Sequence, residues 1–359
     1  MKHFIYFFLF ATILYACTSS DKKGESITIR MDLENIKEID FSILVDRQKI
    51  ELELADNSFL ADIHSIFFIN NKLFVYGRGK VLAFDENGKF LFQVGDKGRG
   101  PGEYLNISSC FVNDSYINIY DDNNRKILKY NENGNFVKEN KIDVKETYPS
   151  VHKIFPLSKK EGYIAKNGYM GGDGAEKYPT YSYYNKEFKW VNDVKDHFRD
   201  NSMTYPTFSF CYQEEILTWE FFIDVIYSIK GNTIFPKYII DFGRYSLPDE
   251  IKRDIHDNDK LMNVVMWTNR PENKDRIASI VQYVFENDQY LYFTFLFRGG
   301  PCIARYDKKG EIADVFRVIN TKGDIEAGAF LMPFNDKVVT FCFDESKDKG
   351  NPTILFLDI

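Results

Sequence analysis

The chain has 359 residues, of which 44% are hydrophobic and 16% aromatic, with 33 Phe and 23 Tyr. That apolar bulk argues against a disordered polypeptide and suits one large or two ordinary packed domains, with strands favoured over helices. A formal net charge of −7 argues against general polyanion binding, which needs a basic face, and so against nucleic acid as a partner.

At the N-terminus Lys2 and His3 precede an apolar run, Phe4 to Ala16. The run is too short to span a bilayer and reads as a cleaved signal peptide. It ends Leu14-Tyr15-Ala16-Cys17. A small residue followed by Cys resembles the bacterial lipobox, which implies lipidation of Cys17 as the first residue of the mature protein. Tyr15 departs from the small or β-branched residue usual there, and an ordinary secretory signal is the other reading. The polar tract Thr18 to Ser26 serves as a tether. Residues 1–17 are therefore expected to be signal, 18–34 a tether and N-terminal segment, and 35–359 the folded unit.

A turn motif repeats along that unit. Asp85-Glu-Asn-Gly-Lys-Phe90 recurs as Asn131-Glu-Asn-Gly-Asn-Phe136, then in degraded form at Asn185–Phe188, Lys230–Thr233 and Asp307–Glu311. Each reads as a hairpin turn between strand-like runs. The copies are roughly 45 to 50 residues apart, save one interval near 80. About 15 residues before each lies a second polar turn ahead of an apolar strand, as in Asn70-Asn71 and Asn113-Asp114, and this marker is present six times. A four-strand repeat of that length is the signature of a propeller blade. Runs such as Leu291-Tyr-Phe-Thr-Phe-Leu-Phe297 are apolar on both faces, as in a sheet stacked between neighbours. The pattern predicts an all-β, six-bladed β-propeller of four-stranded antiparallel blades. The sixth unit ends one strand short at Pro352–Ile359, so Asp46 to Leu54 is expected to complete it and close the ring. A separate N-terminal hairpin is the alternative. The long interval, 244–276, predicts one or two short helices between blades four and five, with Ile251, Ile255 and Leu261-Met262 on one stripe.

Between the first two units lies Gly95-Asp-Lys-Gly-Arg-Gly-Pro-Gly-Glu-Tyr104. Gly100-Pro101-Gly102-Glu103 predicts a type II turn, with Pro presetting φ and Gly supplying φ > 0. This motif and Asp121–Phe136 resemble NHL-type repeats. With the Cys17 signal, the chain is similar to the six-bladed β-propeller lipoproteins of Bacteroidetes over most of residues 35 to 359, although the glycine signature fades after blade two. The resemblance implies the fold and a lipid-anchored cell-envelope location, periplasmic or surface-facing on the outer membrane. It implies no established activity and no catalytic residues.

Blade topology puts the long irregular segments on one face: Gly95–Tyr104, Asp121–Arg125, Asn167–Tyr178, 244–276, Arg298–Pro301 and Asp344–Pro352. Binding residues concentrate on loops held by a rigid scaffold. On that face Lys97, Arg99, Arg125, Arg270 and Arg298 supply positive charge, and Tyr104, Tyr169 and Trp267 supply aromatic surface. Such a set suits an acidic sugar or a peptide carboxylate, so the expected partner is a glycan, a peptide or an envelope protein. The plainer readings are that Arg99 pairs with Glu103 to shape the loop and that Arg125 is a solvated turn residue. Asn167–Gly174 is glycine-rich but lacks the phosphate-cradling pattern and reads as a flexible loop.

Chemistry is not signalled. No nucleophile elbow, His-Glu-x-x-His or Cys-x-x-Cys occurs, and His64, His152, His197 and His256 fall in different units. Cys110, Cys211, Cys302 and Cys342 read as free thiols in apolar strands, with one disulfide as the alternative. No metal or cofactor is expected. Asp121-Asp122 and Asp173 could offer oxygens to Ca2+, but without an alternating acidic loop. A metal-dependent hydrolase or lyase working in the central channel is the competing function, and it would need several carboxylates or imidazoles converging there.

Overall fold

The structure is a computed structural model that describes residues 26–77, 79–143, 150–157, 162–168, 179–194, 208–212, 215–220, 222–230, 233–254, 258–319, 332–334, 337–342 and 350–359. Cys17 and Tyr169 lie outside these residues, as do the segments at 170–178 and 343–349.

Six antiparallel four-stranded sheets form the ring. Blade one is Ser65–Ile69, Lys72–Gly77, Lys80–Asp85 and Phe90–Gln93. Blade two is Ser109–Asn113, Tyr116–Asp121, Lys126–Tyr130 and Phe136–Lys141. Blade three is Ser150–Pro156, Tyr163–Gly168, Tyr181–Tyr184 and Trp190–Asp193. Blade four is Phe208–Tyr212, Glu215–Trp219, Val225–Lys230 and Thr233–Asp241. Blade five is Ser279–Glu286, Tyr290–Phe297, Gly300–Asp307 and Ile312–Ile319. Blade six takes Met332–Phe334, Lys337–Cys342 and Thr353–Leu357 from the C-terminal end. Its fourth strand is Val45–Glu51, with Thr353 opposite Glu51 and Ile354 opposite Ile50. The ring thus closes with an N-terminal strand, as expected.

The repeated turns explain why the strands pair in this register. Asp85, Asn131 and Asn185 each accept, through Oδ1, the backbone N–H groups two and four residues on, at 2.8–3.0 Å. The short side chain thereby holds each hairpin turn. Asn185 keeps this geometry although its copy has lost the glycine.

The core is distributed around the ring. Each pair of adjacent blades shares one apolar cluster, for example Ile69, Phe74, Ala83, Ile117 and Leu128 between blades one and two, and Phe111, Tyr120, Ile127, Ile154 and Tyr184 between two and three. Burying both faces of every sheet is why the central strands are almost continuously apolar.

Residues 27–34, in the N-terminal segment ahead of the ring, pack onto it. Ile27–Arg30 pairs in parallel with Thr233–Asp241 as a fifth strand on blade four, and Lys37–Asp40 does the same with Ile312–Ile319 on blade five. Ile29 and Leu33 are both 1% exposed and join the cluster between blades four and five. These strands cover outer edges that would otherwise stay unpaired. Phe41–Leu44 then makes one helical turn, capped by Asp40, and packs between blades five and six.

The segment between blades four and five carries a 3-10 turn at Gly243–Tyr245 and three helices, Asp249–Lys252, Asn258–Thr268 and Pro271–Lys274, one more than expected. Ile251, Val264 and Trp267 face Phe222 and Leu247. Lys252 donates to Asp224 at 2.8 Å, which ties the insertion to blade four. The side chains of Ile255, Leu261 and Met262 are outside the described set.

Candidate functional site

The loop between blades one and two is built as a rigid bracket. Asp96–Lys97 pairs in parallel with Glu103–Tyr104. Glu103 N–H donates to the Gly100 carbonyl at 3.1 Å and Gly102 has φ +76°, so the type II turn is formed. The Glu103 carboxylate accepts the Gly100 N–H at 2.7 Å and forms no salt bridge with Arg99, so the expected pairing gives way to a backbone contact. The Tyr130 hydroxyl, from blade two, donates to the Gly102 carbonyl at 2.8 Å. Gly95, at φ +63°, lies so close that a Cβ would sit 2.5 Å from that hydroxyl.

Tyr104 does not present its ring to the face. It is 1% exposed and packs with Tyr130, Cys110 and Ile107, because the bracket turns the chain inward at its last residue. Lys97 and Arg99 are exposed on the bracket. Arg125, at φ +50°, is exposed in the next loop, whose Asp121 is fully buried. Asp121 accepts from Leu105 N–H at 2.9 Å and from the Asn124 amide at 2.7 Å. Asp122 accepts from the Asn106 amide at 2.9 Å. These carboxylates therefore hold the two loops together, and the residues described offer no cation cage here.

Across the ring, Arg270 immediately precedes the helix Pro271–Lys274, makes no side-chain cap to it and is exposed. Trp267 is half-buried against the insertion's core, with only part of its ring at the surface. Arg298 is exposed, 5.0 Å from the Phe297 ring, and the adjoining Gly299 abuts Lys274. The expected residues thus fall into two groups. Lys97, Arg99 and Arg125 sit at blades one and two, and Trp267, Arg270 and Arg298 sit diametrically opposite at blades four and five. Among the described residues none of the five cations forms a salt bridge.

No group of three or more His, Cys, Asp or Glu side chains that could hold a metal ion occurs among the described residues. The four described cysteines are free thiols. Burial pushes the Cys302 thiol up to about 12 and Cys110 further still, which keeps both protonated and unreactive.

Ring closure and blade topology define a six-bladed β-propeller. The chain belongs to the DUF4934 family, a domain of unknown function, which matches over residues 24–345. Among solved structures it is similar to a Bacteroides fragilis protein named as a candidate for export, with 17% identity, a TM-score of 0.68, and coverage of 93% of this chain and 99% of that one. It is also similar to a DUF4221 family member from Bacteroides vulgatus, with 11% identity, a TM-score of 0.57, and coverage of 88% and 97%. No curated protein matches the sequence.

Proposed function

We propose that the chain is a cell-envelope binding propeller, lipid-anchored through Cys17, that recognises an extended acidic partner with its loop-rich face and performs no covalent chemistry. The observation that carries this reading is the pair of cationic groups on opposite sides of one face, exposed and without ion pairs among the described residues. Arginine left unpaired on a backbone-fixed loop is available for bidentate contact with carboxylate or sulfate. Two such groups across the ring suit a glycan chain or peptide that spans the disc, and not a small molecule. Candidate-export status of a fold relative supports the location, as does the signal ending in Cys17.

Two measurements test this. Cys17→Ala should move the protein from the membrane to the soluble fraction, and unchanged membrane association would overturn the anchor. In an array of acidic glycans and peptides, Arg99→Ala and Arg298→Ala should each weaken binding of the same ligand about tenfold. Loss from one group only, or from neither, would refute a ligand that spans the face.

A further inference from the structure

The opposite face carries the short turns, and between blades two and three it opens into a cavity of about 230 Å³. Strand register explains why it is there. On the blade-one face that meets blade two, Phe74, Ala83 and Phe92 lie opposite one another across three strands. Phe74 and Ala83 are fully buried, the two phenylalanines meet edge to face at 6.3 Å, and Gly134 of the next blade's turn packs on Phe92. One blade on, the corresponding row is Asn118, Lys129 and Lys138. The corresponding turn places Lys186 where blade two has Glu132, and Phe188 where it has Gly134. An apolar contact between blades has been exchanged for a polar, cationic hollow.

Among the described residues the lysines in that hollow form no salt bridge and outnumber the carboxylates. Lys129 and Lys138 are directly opposed in register, an arrangement that is unfavourable for like charges. Asp114 is the one carboxylate among the described lining residues, against Lys129, Lys138 and Lys186. None of the three lysines forms a salt bridge among the described residues, and the Lys129 ammonium rests 3.7 Å from the centre of the Tyr116 ring. The same ring shows the purely structural arrangement at two other interfaces. Between blades one and two, Lys72 donates to the Glu132 carbonyl and Asn133, and Asn70 donates to the Glu132 carboxylate. Between blades four and five, Lys237 bridges Glu215 at 2.6 Å and Glu286 at 2.7 Å, and Lys308 adds a contact to Glu286 at 3.3 Å. Lysines that only join blades are matched by acceptors, whereas those between blades two and three line the cavity and have no salt-bridge partner among the described residues.

The rest of the lining is suited to a hydroxylated ligand. Asn113, Asn118 and Asn140 contribute amides, and Asn113 donates to the Tyr163 hydroxyl at 3.1 Å. Tyr163 and Phe188 stack at 4.2 Å as the floor. Phe188 holds φ +59°, a conformation that costs a bulky residue free energy and that clusters at binding sites.

We propose that this cavity is a second binding site, distinct from the loop-rich face, that takes a carboxylate, sulfate or phosphate group on a small hydroxylated ligand, with Lys129, Lys138 and Lys186 gripping the oxyanion. The test is calorimetric titration of the full mature chain with glucuronate, sulfate and inorganic phosphate, with glucose as the neutral control. At least one anion should bind saturably and glucose should not. Lys129→Gln/Lys138→Gln should weaken that binding at least tenfold. A second variant, Asn118→Phe/Lys129→Ala/Lys138→Phe, restores the blade-one row and should abolish binding while melting no lower than wild type. Lys141→Gln, exposed on the outer strand of blade two and outside the cavity lining, should leave the titration unchanged. Glucuronate alone would assign a uronate and phosphate alone a phosphate ester, both within the proposal. No saturable binding by any anion, or binding unchanged in both variants, would overturn it.

Discussion

Ring closure rests on one side chain to a degree that can be measured. Asn351 sits between the last blade and the segment leading into the first, 9% exposed. Its Oδ1 accepts the Leu60 N–H at 2.7 Å, and its Nδ2 donates to the carbonyls of Glu53 and Ser58, both at 2.8 Å. Asn351→Ala removes all three bonds. The Glu53 carbonyl keeps a partner in the Ser58 hydroxyl at 3.1 Å, so two buried groups lose theirs, the Leu60 N–H and the Ser58 carbonyl. Each costs about 1–3 kcal/mol when left unsatisfied, so the loss is about 2–6 kcal/mol, less where water enters. At about 2 cal/mol/K per residue of unfolding entropy, a ring of roughly 330 residues melts about 1.5 °C lower per kcal/mol, which predicts a fall of about 3–9 °C. Calorimetry with urea titration reads this, and limited proteolysis should show earlier cutting between residues 52 and 64. Exposed Asn123→Ala is the control and should stay within about 0.5 kcal/mol of wild type. If Asn351→Ala unfolds with that control, the ring is not held shut by this contact.

Gly95→Ala should cost at least about 2 kcal/mol, since it combines a positive φ with a collision against the Tyr130 hydroxyl. Tyr130→Phe should cost only about 1 kcal/mol and should partly relieve Gly95→Ala in a double-mutant cycle, so strict additivity would argue against the proposed clash. Acid unfolding should separate two carboxylates. Burial pushes Glu215 up, but hydrogen bonds from Lys237 and Ser228 more than offset this and hold its carboxyl below its ordinary 4.5. Its contribution is complete above the unfolded value and is lost as pH falls through the lower folded one. Asp224 is raised above 3.8 by burial, against the pull of Lys252, so its ionisation is a cost in the folded state that acidification relieves. Glu215→Gln should therefore flatten the loss of stability between about pH 5 and 3, and Asp224→Asn should steepen it. Equal slopes would refute the assignment.

The rhythm of the blades was legible because its causes are local. Paired turn residues, apolar runs between them and a side-chain cap at each hairpin all repeat in one dimension, and a missing last strand points to a spare one near the start. The parallel strands Ile27–Arg30 and Lys37–Asp40 were not legible. Each has four residues, shows mixed burial and joins its blade without a hairpin turn to announce it. Tyr104 was misjudged for a related reason, since a run of glycines tells where the chain turns but not which way its last side chain points. The row Asn118, Lys129, Lys138 is scattered in sequence and becomes a feature only when register aligns it with Phe74, Ala83 and Phe92.

The two parallel strands also bear on how a lipid-anchored molecule would sit. From Cys17 to Ile27 the chain spans ten steps, and a fully extended segment of that length reaches at most about 35 Å. Ile27–Arg30 is pinned to the outer edge of blade four. An acyl group on Cys17, as proposed, would hold the rim at blade four within that distance of the bilayer, with blade one on the far side of the ring. Attachment at the rim, and not at the centre of a face, leaves both the loop-rich face and the cavity between blades two and three open to ligands. In lipid vesicles carrying acceptor dye, a donor at exposed Arg30 should transfer energy more efficiently than one at Leu91 on the outer strand of blade one. Equal transfer from the two positions would mean that the tether does not orient the disc.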